Sequence, residues 1–222
     1  MGDIARHVEA ARAHFENSEY AAVLGECEHA LLVAPNNVTA LLLCARAYYE
    51  MGMDSAERYF ETALSVEPNN VEVLKSYAKF LLDGDSSKSE RLYRRALSRA
   101  SNDGWVHVGL ALALTGNDKR LAALTHFEFA MRLLGDLSEL RRQYDELLTE
   151  TEELRRDLKD VEAAMRRNPF PDVILLLGAA YSKEGLYDRA MKILSEGCSM
   201  FPDNGNLKLA LEHTQQTSAE LG

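Results

Sequence analysis

No apolar run in this chain approaches the roughly 18 residues that a membrane span requires, so a soluble protein is expected. The first residues, Met1 to His7, hold no apolar signal core, and Arg6 stands where a myristoylation motif would carry Ser or Thr. An intracellular, cytoplasmic location follows as the expectation. Cysteine is scarce: Cys27, Cys44 and Cys198 lie too far apart for a zinc knuckle or a CxxC redox pair, and each falls on an apolar helical stripe. They read as small buried hydrophobes, and their odd number suits a reducing compartment. The histidines, His7, His14, His29, His107, His126 and His213, show neither an HExxH motif nor an i, i+4 pair, so no metal site is expected. Gly109, Gly116 and Gly135 are scattered and form no phosphate-cradling loop, and a GxSxG nucleophile elbow is missing as well. With no residues to carry chemistry, neither an enzyme nor a cofactor is expected. Positive charge is short too, 25 Lys and Arg against 35 Asp and Glu for a net charge of -10. Proteins that bind nucleic acid gain most of their affinity by neutralising phosphates, so this balance argues against such a partner.

What the chain does have is a clock. Ala30, Ala63, Ala96, Ala130, Ala164 and Gly197 follow one another at intervals of 33, 33, 34, 34 and 33 residues. Three places before each beat stands a mostly bulky residue: Cys27, Phe60, Tyr93, Phe127, Val161 and Leu194. Five places after it stand Pro35, Pro68, Ser101, Gly135, Pro169 and Pro202. Such self-similarity predicts stacked supersecondary units that share one continuous core. Each period reads as a helix, a break, a second helix and a stop. In the last, Ile174, Leu177, Gly178 and Tyr181 mark one helical face, Gly185 interrupts, and Leu186 to Met200 form the partner helix. Small residues recur where paired helices must approach, at Ala11, Ala45, Ala78, Ala111 and Gly178 on the first helices.

These residues resemble the tetratricopeptide repeat (TPR) family. The second repeat carries the pattern through Leu41, Ala45, Tyr48, Gly52, Ala56, Phe60, Ala63 and Pro68, and the sixth matches as well. The second and third repeats are one residue short in the turn, and the third closes on Ser101 instead of proline. The resemblance implies an all-α, right-handed superhelical solenoid of antiparallel helix pairs. Its repeats would run at about 4–36, 37–69, 70–103, 104–137, 138–170 and 171–204, with 205–222 as a capping helix and tail, all in a single domain spanning 1–222.

The resemblance also supplies a register for the concave groove. In the first three repeats its ninth place holds Arg12, Arg46 and Lys79, joined by Lys75, a cationic ladder in an acidic protein. Flanking Glu9, Glu16 and Glu50 also allow a plain solvated face. Positions of the chaperone-binding clamp known in the family fall on Val8, Arg12, Leu43, Glu72 and Ser76. Only one is cationic, which argues against capture of a heat-shock chaperone tail. Apolar and aromatic residues fill the other groove places. The candidate partner-binding residues are Arg12, Leu42, Arg46, Tyr49, Lys75, Lys79, Trp105 and Leu112. Trp105 reads equally as an interface anchor or as packing at a helix start.

The fifth repeat departs from the pattern. Leu140, Tyr144, Leu147, Thr151, Leu154, Leu158, Val161 and Met165 alternate at spacings of four and three in a charged stretch without Gly or Pro. One reading is a continuous helix over about 137–167, which leaves a homodimer through that segment open. The favoured reading is a diverged hairpin that bends near Thr149 to Thr151, with Thr149 and Glu152 fitting a capping box. Against it, Asp145 and Asp157 hold the close-contact places, where burial of facing carboxylates is costly. The function expected is that of a non-enzymatic adaptor or scaffold that binds a peptide or amphipathic helix, acidic in one form. The alternatives are a scaffold of the half-a-TPR kind in an RNA-processing assembly, resembled by Tyr77 to Phe80 and Tyr93 to Leu97, and a regulatory or targeting subunit of an enzyme complex.

Overall fold

The computed structural model describes residues 2–135 and 137–221, and among these every regular element is an α-helix. The helices gather into two compact units, residues 1–101 and 102–222. In the first, α1 (Gly2–Glu16), α3 (Val38–Glu50) and α5 (Val71–Phe80) are the first helices of their repeats. Each packs against its successor, α2 (Tyr20–Val33), α4 (Ser55–Val66) or α6 (Ser86–Leu97). The second unit holds the pair α7 (Gly104–Gly116) and α8 (Arg120–Leu134), then α9 (Ser138–Glu150) and α10 (Glu152–Arg167). The pair α11 (Pro171–Lys183) and α12 (Tyr187–Met200) follows, and α13 (Gly205–Leu221) packs on both of them.

Local chemistry sets the helix ends in step with the clock. Asn37, Asn70, Asp103 and Asn204 cap α3, α5, α7 and α13, each side-chain oxygen accepting from a backbone N–H of the first turn. Pro171 starts α11, where its missing N–H is no loss. At the other end, Ala34, Glu67, Asn168 and Phe201 stand before prolines, which disfavour helix in the preceding residue. Each has left it, with φ between -143° and -127°. Four of the turns inside a pair use the left-handed region at the same repeat position, by Ser18, Gly52, Asp118 and Gly185.

The pairs close on small residues. Ala11, Ala45, Ala78 and Ala111 are fully buried on the first helices, as are Ala30, Ala63, Ala96 and Ala130 on the second. In the last pair even alanine is too large. A Cβ at Gly178 would stand 2.7 Å from Leu194 Cγ, and one at Gly197 would stand 2.6 Å from Ile174 Cγ2.

The fifth repeat does not close. Thr151 alone links α9 to α10, with φ -100° and ψ 0°, and a helical hairpin needs a loop of about 2–5 residues to reverse the chain. The two helices therefore run end to end with a bend. The Thr151 hydroxyl donates to the carbonyl of Leu147 at 2.8 Å, a back-bond that bends helices. This corrects the favoured hairpin. The capping box is not formed either, since Thr149 donates to Asp145 O at 2.9 Å and α10 has no side-chain cap. The heptad seam is spent inside the unit: Leu140, Leu147, Thr151, Leu158 and Met165 are buried, α9 lying on α8 and α10 on α11. Asp145 and Asp157 stay exposed, so no carboxylate is forced into a helix contact.

Beyond the bend, the sixth repeat reaches back to the fourth. The Leu121 N–H at the start of α8 donates to Glu184 Oε2 at 3.2 Å, which satisfies a helix-terminal donor. At the turn between α11 and α12, a Cβ on Gly185 would come within 3.1 Å of Lys119 Cδ and 3.3 Å of Ala122 Cβ.

Candidate functional site

In the first unit, α1, α3 and α5 lie side by side and carry most of the expected cationic ladder. Arg46 lays its guanidinium over Phe15 of α1, 4.5 Å from the ring centroid, and approaches Glu72 of α5 at 4.0 Å. Lys75 reaches the other oxygen of Glu72 at 3.9 Å. Lys79 stands 6.0 Å from the centroid of Tyr49, whose ring meets Phe80 edge-on at 5.6 Å. Burial raises the Tyr49 hydroxyl above its ordinary pKa, helped by Glu50 and Asp83. The result is a strip of three cations and three aromatic rings around one carboxylate, and each cation is oriented by a ring or by Glu72. Glu72 was read only as a mismatch to a chaperone clamp. Its place, three residues before Lys75, was the available signal that it would steer the cations.

The other expected residues separate. Arg12 is exposed and pairs with Glu9 on its own helix at 3.9 Å. Leu42 is only 8% exposed and belongs to the core. Trp105 and Leu112 belong to the second unit. The Trp105 backbone N–H is capped by Asp103 at 2.9 Å, and the residue is 58% exposed. Leu112 is half-buried.

A second arrangement recurs that pattern reading overlooked. Two places before the beat, Glu61, Glu128 and Glu162 each accept from a tyrosine of the next first helix: Tyr77 at 3.2 Å, Tyr144 at 3.0 Å and Tyr181 at 2.9 Å. At two of the three stations a cation from the following second helix completes the contact. Lys88 donates to Glu57 at 3.0 Å and Glu61 at 3.2 Å while standing 4.8 Å from the Tyr77 ring centroid. Arg189 donates to Glu162 at 2.7 Å from 4.6 Å above Tyr181. Hydrogen bonds from Lys88 and Tyr77 hold the Glu57 carboxyl below its usual range. At Glu162 burial acts upward, but Tyr181, Arg189 and Arg166 outweigh it and the net displacement is downward. Burial and the Glu162 hydrogen bond push Tyr181 up to about 12. The clock itself was the missed signal, because the three glutamates share one phase of it.

Two histidine contacts share another phase. His7 and His107, each four places before a close-contact alanine, meet residues 19 further on: Glu26 at 2.6 Å and His126 at 3.0 Å, nitrogen to nitrogen. The hydrogen bond from His7 lowers the Glu26 carboxyl. Cys27 and Cys44 are buried, and contact with Cys27 together with desolvation drives the Cys44 thiol far up. Cys198 is only half-buried, against the expectation that all three would be interior. Among the described residues, no group of three or more His, Cys, Asp or Glu side chains is placed to hold a metal ion, and no helix is long and apolar enough to cross a membrane.

Comparison with known proteins agrees with this geometry. A family model described as tetratricopeptide repeat matches residues 171–204, the α11/α12 pair. Curated protein sequences give no match. Among solved structures, pilF of Pseudomonas aeruginosa aligns over 97% of this chain and 98% of its own, at 16% identity and a TM-score of 0.63. PilW, a type IV pilus biogenesis factor, aligns over 94% and 98% at 17% identity and a TM-score of 0.62. MamA aligns over 90% and 92% at 14% identity and 0.54. The resemblance to the TPR family thus rests on a sequence match in the sixth repeat and on a shared helical-repeat fold along nearly the whole chain.

Proposed function

We propose that the chain is a protein–protein interaction module, without catalysis of its own, that holds an acidic peptide or amphipathic helix on the α1/α3/α5 face. The observation that carries this reading is the strip of Arg46, Lys75 and Lys79 set among Phe15, Tyr49 and Phe80. Guanidinium and ammonium groups give direction to carboxylates of the ligand, and aromatic rings give apolar area at small entropic loss. Glu72 offsets one of the three positive charges and leaves the strip positive, and an acidic ligand would replace Glu72 as the partner of Arg46 and Lys75. A scaffold in an RNA-processing assembly and a regulatory subunit of an enzyme would both work through such a face, with the partner defining the process. The exposed Trp105 of the second unit is a further candidate anchor.

Peptides selected by display against the full chain provide the test. Anisotropy titration of a selected acidic peptide should show binding weakened about tenfold or more by Arg46→Glu and by Lys79→Glu, since each loses an ionic hydrogen bond. Unchanged affinity in both variants, with their helicity intact, removes this face from the reading.

A further inference from the structure

A cleft between α10 and α12 in the second unit is lined by Lys159, Glu162, Ala163, Arg166, Arg167 and Arg189 and has a volume of about 440 Å³. Four cations there face a single carboxylate, in a chain whose net charge is -10. Glu162 is spoken for, since it accepts from Tyr181, Arg189 and Arg166 within 2.9 Å. Lys159 and Arg167 are exposed and have no ion-pair partner among the described residues.

The equivalent station between α4 and α6 shows what folding alone uses. There Lys88 is set between Glu57 and Glu61 beside Tyr77. Counted from the beat, the places of Arg166 and Arg167 are Ser65 and Val66 in the second repeat, and the place of Lys159 is Arg58, which lies over Tyr59. Arg189 shares the phase of Lys88, so the cations without a counterpart in the second repeat are Arg166 and Arg167, in the last turn of α10 where they also favour its dipole. The surplus of positive charge particular to this cleft is that pair. Ala163, between the cations of α10 in the lining, is exposed as well.

We propose that the α10/α12 cleft binds a phosphoryl group carried on a side chain of a partner polypeptide. A phosphate monoester brings close to two negative charges and three acceptor oxygens, which match several guanidinium forks converging on one point. One carboxylate would leave the cleft positive. Extended polyanions such as nucleic acid or an anionic membrane would face the acidic remainder of the chain, whereas a single compact group does not. The site is distinct from the α1/α3/α5 strip, so failure of either leaves the other standing.

The test is titration of the full chain with a phosphoserine peptide in a Gly/Ala frame, read by NMR at the guanidinium N–H signals of Arg166, Arg167 and Arg189. Saturable shifts are expected with the phosphopeptide and not with its serine counterpart. The double variant Lys159→Gln/Arg167→Gln should weaken binding about tenfold with an unchanged thermal melt. The proposal is overturned if the phosphopeptide gives no saturable shift, or if its serine form binds as well. It is also overturned if the double variant binds equally, or if inorganic phosphate, phosphoinositide vesicles or a single-stranded oligonucleotide bind as tightly as the phosphopeptide.

Discussion

The pair α3/α4 and the segment α9–α10 each fill one period of the same clock, but the first folds back on itself and the second runs on. At the close-contact places of the first stand Ala45 and Ala56, both fully buried, with Ala63 on the beat and Gly52 turning the chain at φ 66°. The matching places of the second hold Asp145, Asp157, Ala164 and Glu152; the two aspartates and Ala164 are exposed. Glu152 sits in the first turn of α10, where a left-handed turn residue would be required. Yet Glu162, two places before the beat, contacts the next repeat just as Glu61 does. The clock therefore records two separable things. Contacts to the following repeat survive in both segments, while closure of a pair goes with small residues at two facing places and a turn of several residues between the helices, left-handed at one residue in four of the pairs.

The severest way to break the contrast is to give the closed pair the chemistry of the open one. Ala45→Asp puts a carboxylate at a place with no exposure, without a partner, at a cost of about 4 kcal/mol or more. Urea denaturation followed by circular dichroism should show part of the helical signal lost at much lower denaturant. Wild-type denaturation in this variant would mean that residue size at the contact does not decide closure. A smaller loss is expected from Gly178→Val. Its Cβ alone would stand 2.7 Å from Leu194 Cγ, and overpacking of this kind costs about 1–3 kcal/mol.

The closed repeats were legible because their evidence is compositional and periodic. Ala30 to Gly197, the prolines and the small residues at Ala11 to Gly178 gave both helices of each pair, and the structure buries the small residues of the closed pairs where the register put them. Residues 138–167 were harder, since a heptad seam has the same spacing whether it faces a neighbour in the same chain or a second copy. The one-residue link at Thr151 is a matter of backbone angles that Leu147, Leu148 and Thr149 do not announce. Of the candidate site, Arg46, Lys75, Lys79 and Tyr49 were placed on one strip by the register, whereas Leu42 was not separable from the core by pattern. The Tyr–Glu–cation stations were missed for a different reason: their glutamates lie 16 to 31 positions from the tyrosines and cations they bind in neighbouring repeats, and no single repeat contains one whole.

What the two segments share can be probed at those stations. Tyr77→Phe and Tyr181→Phe each remove one donor to a glutamate that keeps its cation, so losses of about 1–2 kcal/mol are expected at both. A loss at Tyr77 alone would show that the open segment gains nothing from its station. The pH dependence has a definite sign. Folding holds Glu57 and Glu162 below the ordinary value of 4.5, so their contribution is present above that value and lost as pH falls through the lower, folded one. Glu162→Gln should flatten the fall in stability below about pH 4.5 when melts are compared across the acid range.

The smallest expected effect sharpens the contrast most. Asp145 and Asp157 are exposed because α9 and α10 do not face each other, so Asp145→Ala and Asp157→Ala relieve no buried charge. Each should change stability by about 0.5 kcal/mol or less, in the stabilising direction set by helix propensity. If the aspartates instead hold open a pair that would otherwise close, the double variant should gain far more. It would also bring α9 against α10, which spin labels on the outer ends of the two helices would register as a shortened distance. A near-neutral double variant with an unchanged distance places the cause in the one-residue link at Thr151, because a turn too short to reverse the chain keeps the helices apart whatever stands at their contact places.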